Sequence, residues 1–218
     1  MTRRAAVRDT YDRIATHFAA TREYAWPEVE AFVEASVDGT EPVGVGLDLG
    51  CGNCRHAELL AADGCTDVVG VDVSRGLLET GRDRAIDRGF DVQLCQADAA
   101  RLPLADATVD IAIYVATLHH LPTAPIRRAS LDELTRVLAP NSRALVSAWS
   151  TAHDRFDETD GFDTTVEWTL PGGESIDRFY HIYSPDEFEA ELAASALSIV
   201  DWELSSGNCY ATVTVPEG

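Results

Sequence analysis

At 218 residues the chain has room for one core, and 45% hydrophobic with 25% charged residues is a globular composition that excludes collagen-like, low-complexity and wholly disordered chains. Its 37 acids outnumber 17 bases for a net charge of -20, and every base is Arg. That skew is expected of a halophilic protein working in concentrated salt, where a Debye length of ~3 Å at about molar ionic strength stops net charge from excluding a nucleic-acid partner.

The predicted elements begin with a helix to about residue 20, from Val7, Tyr11, Ile14 and Phe18 at steps of four, three and four. This is also the basic end, with five Arg against Asp9 and Asp12 over residues 1–22. Pro27, then Val29, Phe32 and Val33 with Gly39 beyond, predict a second helix. Short apolar runs at 43–49, 68–71, 92–94, 109–115 and 144–148 read as strands. Between them lie helical stretches at 54–62, at 74–88 with Ser74 as N-cap, and at 123–138 ended by Pro140. Residues 150–182 are rich in acids, Gly and aromatics and are expected to form a lid or substrate insert. A helix over 185–196, a strand near 197–204, a Ser-Ser-Gly-Asn turn and a last strand near 210–215 complete the chain. Alternating strands and helices predict an α/β, doubly wound, seven-stranded sheet that is mostly parallel, with the last strand reversed by its hairpin. The expected organisation is one domain over 1–218, with a helical extension over 1–40 covering the site.

No run approaches the roughly 20 apolar residues of a spanning helix, and the first residues lack a signal-peptide stretch, so a cytoplasmic protein is expected. Cys51, Cys54, Cys65, Cys95 and Cys209 are odd in number and fit reduced thiols. Cys51-x-x-Cys54 has no second pair at ligand spacing, so the two are expected to pack, with no metal in this chain.

The first strand runs into Leu47-Asp48-Leu49-Gly50-Cys51-Gly52-Asn53 and then a helix. Gly50 and Gly52 let backbone approach a ligand at the carboxyl end of a parallel strand, where such sheets place their sites. Arg55 replaces the third Gly of a dinucleotide fingerprint, and a carboxylate at Asp48 aimed into the pocket disfavours pyrophosphate while favouring the cationic tail of S-adenosylmethionine (SAM). Asp72 ends the second strand, 20 residues after Gly52, where an acid takes ribose hydroxyls; Asp98 follows the third, placed for an adenine amino group. These residues resemble the class I SAM-dependent methyltransferases. The resemblance covers about 43–215 and departs from the family at Cys54, where many members carry Gly. It implies SAM as cofactor, S-adenosylhomocysteine as product, and Asp48, Gly50, Cys51, Gly52, Asp72, Val73, Ala97, Asp98, Ala99 and Tyr114 as its contacts.

More specific are Thr21-Arg22-Glu23-Tyr24-Ala25-Trp26-Pro27, Tyr114 to His120, Val146-Ser147-Ala148-Trp149, Val166 to Pro171, and Arg178-Phe179-Tyr180-His181-Ile182-Tyr183. Together they are similar to the tRNA wobble-uridine carboxymethyl O-methyltransferases, which esterify the side chain of 5-carboxymethyluridine. A carboxymethyl acid titrates near ~4 and arrives anionic, so it needs no general base. Arg22 is therefore assigned to binding and orientation within a catalytic set of Arg22, Trp26 and His120. Trp26, Trp149 and Tyr180 are expected to stack on an everted base, and Arg178 and His181 to touch the anticodon backbone. The resemblance also implies a small zinc-ribbon activator protein adding a strand at the sheet edge near 91–96, giving a heterodimer in which any zinc belongs to the partner. Two readings stay open beside this one: a methyltransferase of a quinone, sterol or phenol, for which His120 would be the base, and a non-catalytic SAM-binding scaffold.

Overall fold

In the computed structural model, which describes residues 3–37 and 43–215, the apolar runs of the sequence become the middle of a twisted sheet. Its strands are β1 (Val43–Leu49), β2 (Cys65–Asp72), β3 (Gln93–Gln96), β4 (Val109–Tyr114), β5 (Leu138–Trp149), β8 (Ser198–Ser205) and β9 (Asn208–Thr214), in the order β3-β2-β1-β4-β5-β9-β8. β9 runs antiparallel to both neighbours, and β1 through β5 pair in parallel. The central strands are buried on both faces, which is why they read as near-continuous apolar runs. Strand order reverses between β2-β1 and β1-β4, opening a crevice at the carboxyl ends of β1 and β4.

Helices α1 (Arg3–Ala20), α2 (Pro27–Ser36), α3 (Arg55–Ala62), α4 (Arg75–Arg88), α5 (Ala124–Val137) and α6 (Pro185–Ala193) accompany the sheet. Local chemistry sets their ends. Ser74 Oγ accepts from Leu77 N and caps α4, Gly89 closes it at φ 72°, and Ser184 caps α6 in the same way as Ser74. Gly39, the expected stop after α2, lies outside the described residues.

One expectation is corrected. α5 ends at Val137 and β5 starts at Leu138, so Pro140 sits inside a strand start and does not end the helix. The 150–182 segment holds a regular antiparallel hairpin, β6 (Phe162–Thr169) with β7 (Ser175–Ile182), turned through Gly172 and Gly173 at positive φ. Its inner positions alternate Phe162, Thr164, Val166, Trp168 and Ile176, Arg178, Tyr180, Ile182, a period of two that composition alone hides.

α1 lies between this hairpin and the sheet body. Asp12 accepts from Ser74 Oγ at 2.7 Å and Gly76 N at 2.9 Å on the body side; on the other side Trp168 Nε1 donates to His17 Nδ1 at 3.0 Å and Arg13 pairs with Glu174. Tyr11, Ile14, Ala15, Leu77 and Ile176 form a separate small core that closes this seam.

Candidate active site

The loop after β1 folds back on β2: the N–H groups of Gly50 and Cys51 both donate to Val71 O, at 2.7 and 3.0 Å. Gly50 sits at φ 76°, and a Cβ there would run into Thr117, so glycine is required by the strand-four exit as well as by the turn. Gly52, at φ 53°, faces open space and donates its N–H to Asp72 Oδ2 at 2.9 Å. Asp72 Oδ1 accepts from Ser74 N at 2.8 Å. Burial outweighs these donors and raises the Asp72 carboxyl to about 6.

The cleft beside this loop encloses about 780 Å³ of non-atom space, part of it open to solvent. Gly50, Gly52, Asp72, Val73, Ala97, Asp98, Ala99 and His120 line it among the expected residues, and α1 contributes Arg4, Val7, Tyr11 and Phe18. Asp98 accepts from Ala100 N at 3.0 Å and pairs with Arg4 Nη1 at 2.6 Å. Among the described residues the cleft thus offers two rim carboxylates, an open glycine turn and apolar walls. That donor and acceptor set fits an adenosyl group, the nucleoside part of SAM.

Three expected cofactor residues stand elsewhere. Asp48 is 1% exposed and accepts from Ala57 N at 3.0 Å, so it tethers the loop to α3 where the sequence suggests a carboxylate aimed at a ligand. Burial raises it to about 7. Cys51 is buried with its sulfur against Gly70, and Cys54 packs against Gly81. Tyr114 is fully buried and donates to Ser130 Oγ at 2.9 Å, inside the core. No group of three His, Cys, Asp or Glu positioned for a metal occurs among the described residues.

A second polar group adjoins the cleft. His120 Nδ1 lies 2.9 Å from Phe179 O, and since a carbonyl only accepts, Nδ1 carries the proton. Burial lowers His120 to about 4, so the ring is neutral and its Nε2 accepts from the Tyr11 hydroxyl at 2.8 Å. Both nitrogens are spent. His120 therefore positions Tyr11 and has no free site for an acceptor's proton, which corrects its assignment as a catalytic residue. Tyr11 is, with Arg4, Val7 and Phe18, a cleft residue the sequence reading missed; it looks like one more member of a helical stripe, and only its contact with His120 at the strand-four exit reveals it.

Arg178, 8% exposed, occupies the inner face of β7 between Ile176 and Tyr180. Its Nη1 donates to Tyr180 Oη at 2.6 Å, its Nε has no partner, and no described carboxylate lies within ion-pair distance. The guanidinium lies 4.8 Å over Trp168 and 5.2 Å over Tyr180. Arg22 lies 4.9 Å over Phe18 and 5.9 Å over Trp168, donates to Thr21, and is lowered by burial and by Arg178. Two cations thus stand together with no described acid within ion-pair distance, beside the Tyr11 and Tyr180 hydroxyls, in a chain of net charge -20. Trp149 meets Tyr180 edge-on at 5.3 Å.

Trp26 and His181 are not part of this group. Trp26 lies under Arg55, 4.8 Å from its guanidinium, and against His56. His181 is held between Asp163 and Glu187, each 2.9 Å from a ring nitrogen, and so fastens the hairpin to α6; this replaces the expected backbone contact.

Fold and cleft together match the class I methyltransferase fold, Rossmann-like with a mostly parallel seven-stranded sheet. Residues 47–146 match the family described as a methyltransferase domain. Within that class the chain is 32% identical over 179 residues to the tRNA (carboxymethyluridine(34)-5-O)-methyltransferase of Arabidopsis thaliana, covering 82% of this chain and 40% of that protein. It is 32% identical to the protein of that name from Saccharomyces cerevisiae, over 78% of this chain and 58% of the relative, and 24% identical to that of Schizosaccharomyces pombe, over 89% and 90%. The chain spans less than two thirds of the first two relatives. Among solved structures it resembles a SAM-dependent methyltransferase from Clostridium acetobutylicum (TM-score 0.71, 14% identity, 95% and 96% covered). It is also similar to a methyltransferase in complex with the Haloferax volcanii Trm112 methyltransferase activator (TM-score 0.70, 14% identity, 97% and 98% covered). At these identities the likeness to solved structures is one of fold.

Proposed function

We propose that this chain methylates the carboxylate of 5-carboxymethyluridine at the tRNA wobble position, giving the methyl ester. The observation that carries the reading is Arg178: a buried guanidinium with an unpartnered Nε and no acid is costly unless an anion completes it. A carboxylate, planar and already ionised near neutral pH, matches that fork. SAM, when bound, supplies an electrophilic methyl on a positively charged sulfur.

This chain's residues do the rest by binding and orientation. Asp72 and Asp98 accept from the cofactor's hydroxyl and amino groups, while Arg178, Arg22 and Tyr180 grip the acceptor. Tyr11, its proton committed to His120, turns oxygen lone pairs and not a donor toward the cleft. No residue has to remove a proton. Correct placement of the two reactants is worth up to roughly 7–11 kcal/mol of barrier. Because charge is neutralised during transfer, the arginines hold the bound acceptor more than the transition state. The relatives named above support tRNA as the acceptor's carrier.

The same reading takes a zinc-ribbon activator as partner, docking by strand addition along β3. β3 is a four-residue edge strand, and Ile86 nearby is 71% exposed. The likeness to a methyltransferase solved with the Haloferax volcanii Trm112 methyltransferase activator supports an activator as partner. We place the protein in a salt-rich cytoplasm on composition, with α1 and the β6–β7 hairpin as cover for the site.

Incubating the chain, with and without the activator, with labelled SAM and tRNA from a strain lacking the enzyme tests the proposal. Labelled methyl ester of carboxymethyluridine among the nucleosides is expected. Label on a small phenol or quinone and none on tRNA would overturn it.

A further inference from the structure

Four arginines behave unlike most of the others in this chain. Along α1, α4 and α5 the guanidinium groups mostly pair with carboxylates, as in Arg4 with Asp98, Arg75 with Glu79 and Arg136 with Glu133. Arg22, Arg55, Arg155 and Arg178 have no described carboxylate within ion-pair distance, and each lies instead on an aromatic ring. Arg101, Arg128 and Arg143 also have no described ion pair but lie on no described ring, so what sets the four apart is an unpaired cation backed by an aromatic face.

The four are also contiguous. Arg55, first residue of α3, lies 4.8 Å over Trp26 and donates to Tyr24 O; burial lowers it to about 10, with Arg22 as the next cause, so it remains a cation. Arg22 is lowered in turn by Arg178. Arg178 bonds Tyr180, Tyr180 meets Trp149 at 5.3 Å, and Arg155 lies 5.7 Å over Trp149. Arg55, Arg22 and Arg178 thus repel in sequence, and a polyanion would relieve that repulsion.

The segment bearing Arg155 is fastened in place. Arg155 N donates to His153 Nδ1, Phe156 N to His153 O and His153 N to Ser150 O, while Gly207 leaves no room for any Cβ beside His153. Arg155 itself is exposed. A flat guanidinium backed by a ring offers a cation and a stacking face together, the combination that single-stranded nucleic acid uses and a paired duplex does not.

We propose that Arg55 on Trp26 and Arg155 on Trp149 are subsites for single-stranded RNA on the two flanks of the Arg22 and Arg178 acceptor pocket, each holding a nucleotide next to the one modified. This rests on the proposed function and adds two contact residues to it.

The test is binding of a fluorescent anticodon stem-loop RNA over a salt series, with SAM affinity measured by calorimetry in parallel. Arg55→Ala and Arg155→Ala are each expected to weaken RNA binding about tenfold, within the range for losing one stacked base. Each is expected to lower the slope of log K against log salt by about 0.7, leaving SAM affinity unchanged. Arg155→Lys should keep the slope and lose part of the affinity. Arg75→Ala and Arg82→Ala, on the outer side of α4, serve as controls. If the wild-type chain binds and methylates RNA while Arg55→Ala and Arg155→Ala match the controls, the inference fails alone. If the wild-type chain neither binds nor methylates RNA, the proposed function fails with it.

Discussion

The protons in the site are placed by burial more than by partners. With Nδ1 on the Phe179 carbonyl and a value near 4, His120 stays neutral from pH 6 to 8, and the reaction should be flat in kcat/KM over that range. A limb near pH 6.5 that disappears in His120→Asn would contradict this. Asp72 differs, because its ionised form is the one that accepts hydroxyls. With its value raised to about 6, affinity for S-adenosylhomocysteine should fall about tenfold for each unit below pH 6, and Asp72→Asn should bind weakly with no such slope. A flat wild-type calorimetric profile from pH 5 to 7 would refute it. Asp48 carries the same sign into stability. Its folded value of about 7 lies above the ordinary ~3.9, so the folded chain holds a proton the unfolded chain has released, and stability falls as pH rises from about 4 to 7. Asp48→Asn keeps an oxygen for Ala57 N, and its Tm should decline less over that window than the wild type's. The sequence shows that acids end β1 and β2. It does not show that one turns to a helix start and the other to the cleft, because the Ala57 N–H that decides the matter is nine residues downstream.

At the level of elements, the sheet is legible because apolar runs buried on both faces have no other reading, and Ser74 and Gly89 announce α4. The site's cover is harder to read. Residues 162–168 and 176–182 alternate inward and outward around Pro171-Gly172-Gly173, a hairpin signal, yet Arg178 on the inner face breaks the apolar pattern that would have exposed it. That break is the position to which the proposed function assigns the acceptor's carboxylate. α1 is clasped at one close crossing: a Cβ on Gly76 would come 3.0 Å from Ala15 Cβ and 3.1 Å from Asp12 O. Gly76→Val must push α1 off α4, at an overpacking cost of about 1–3 kcal/mol. Because Arg4, Val7, Tyr11 and Phe18 all line the cleft from α1, the same change should weaken SAM binding and speed amide exchange over residues 3–20 while sparing β1 and β4. Exchange rising equally in all three segments would mean that α1 is part of the global core and not a separate cover.

For the whole molecule, charge makes a demand that no single contact reveals. A net -20 on one small domain is self-repulsive, and at 0.1 M salt the Debye length of about 10 Å lets neighbouring acids feel one another. Many of the counterbalancing ion pairs are exposed, such as Arg75 with Glu79 and Arg82 with Asp83, and such pairs contribute only about 0–1 kcal/mol each. Raising salt to about 1 M shortens the Debye length to ~3 Å, removing repulsion among many acids while sacrificing those few weak attractions. Tm should therefore rise between 0.1 and 1 M NaCl, read by calorimetry at fixed pH. On the proposed function, RNA is held by the unpaired arginines, and its affinity should fall over the same range. On that reading the two trends set opposite limits on working salt. A Tm that drops as salt is added would show that the surface pairs outweigh the repulsion, and would remove the argument that this composition is built for concentrated salt.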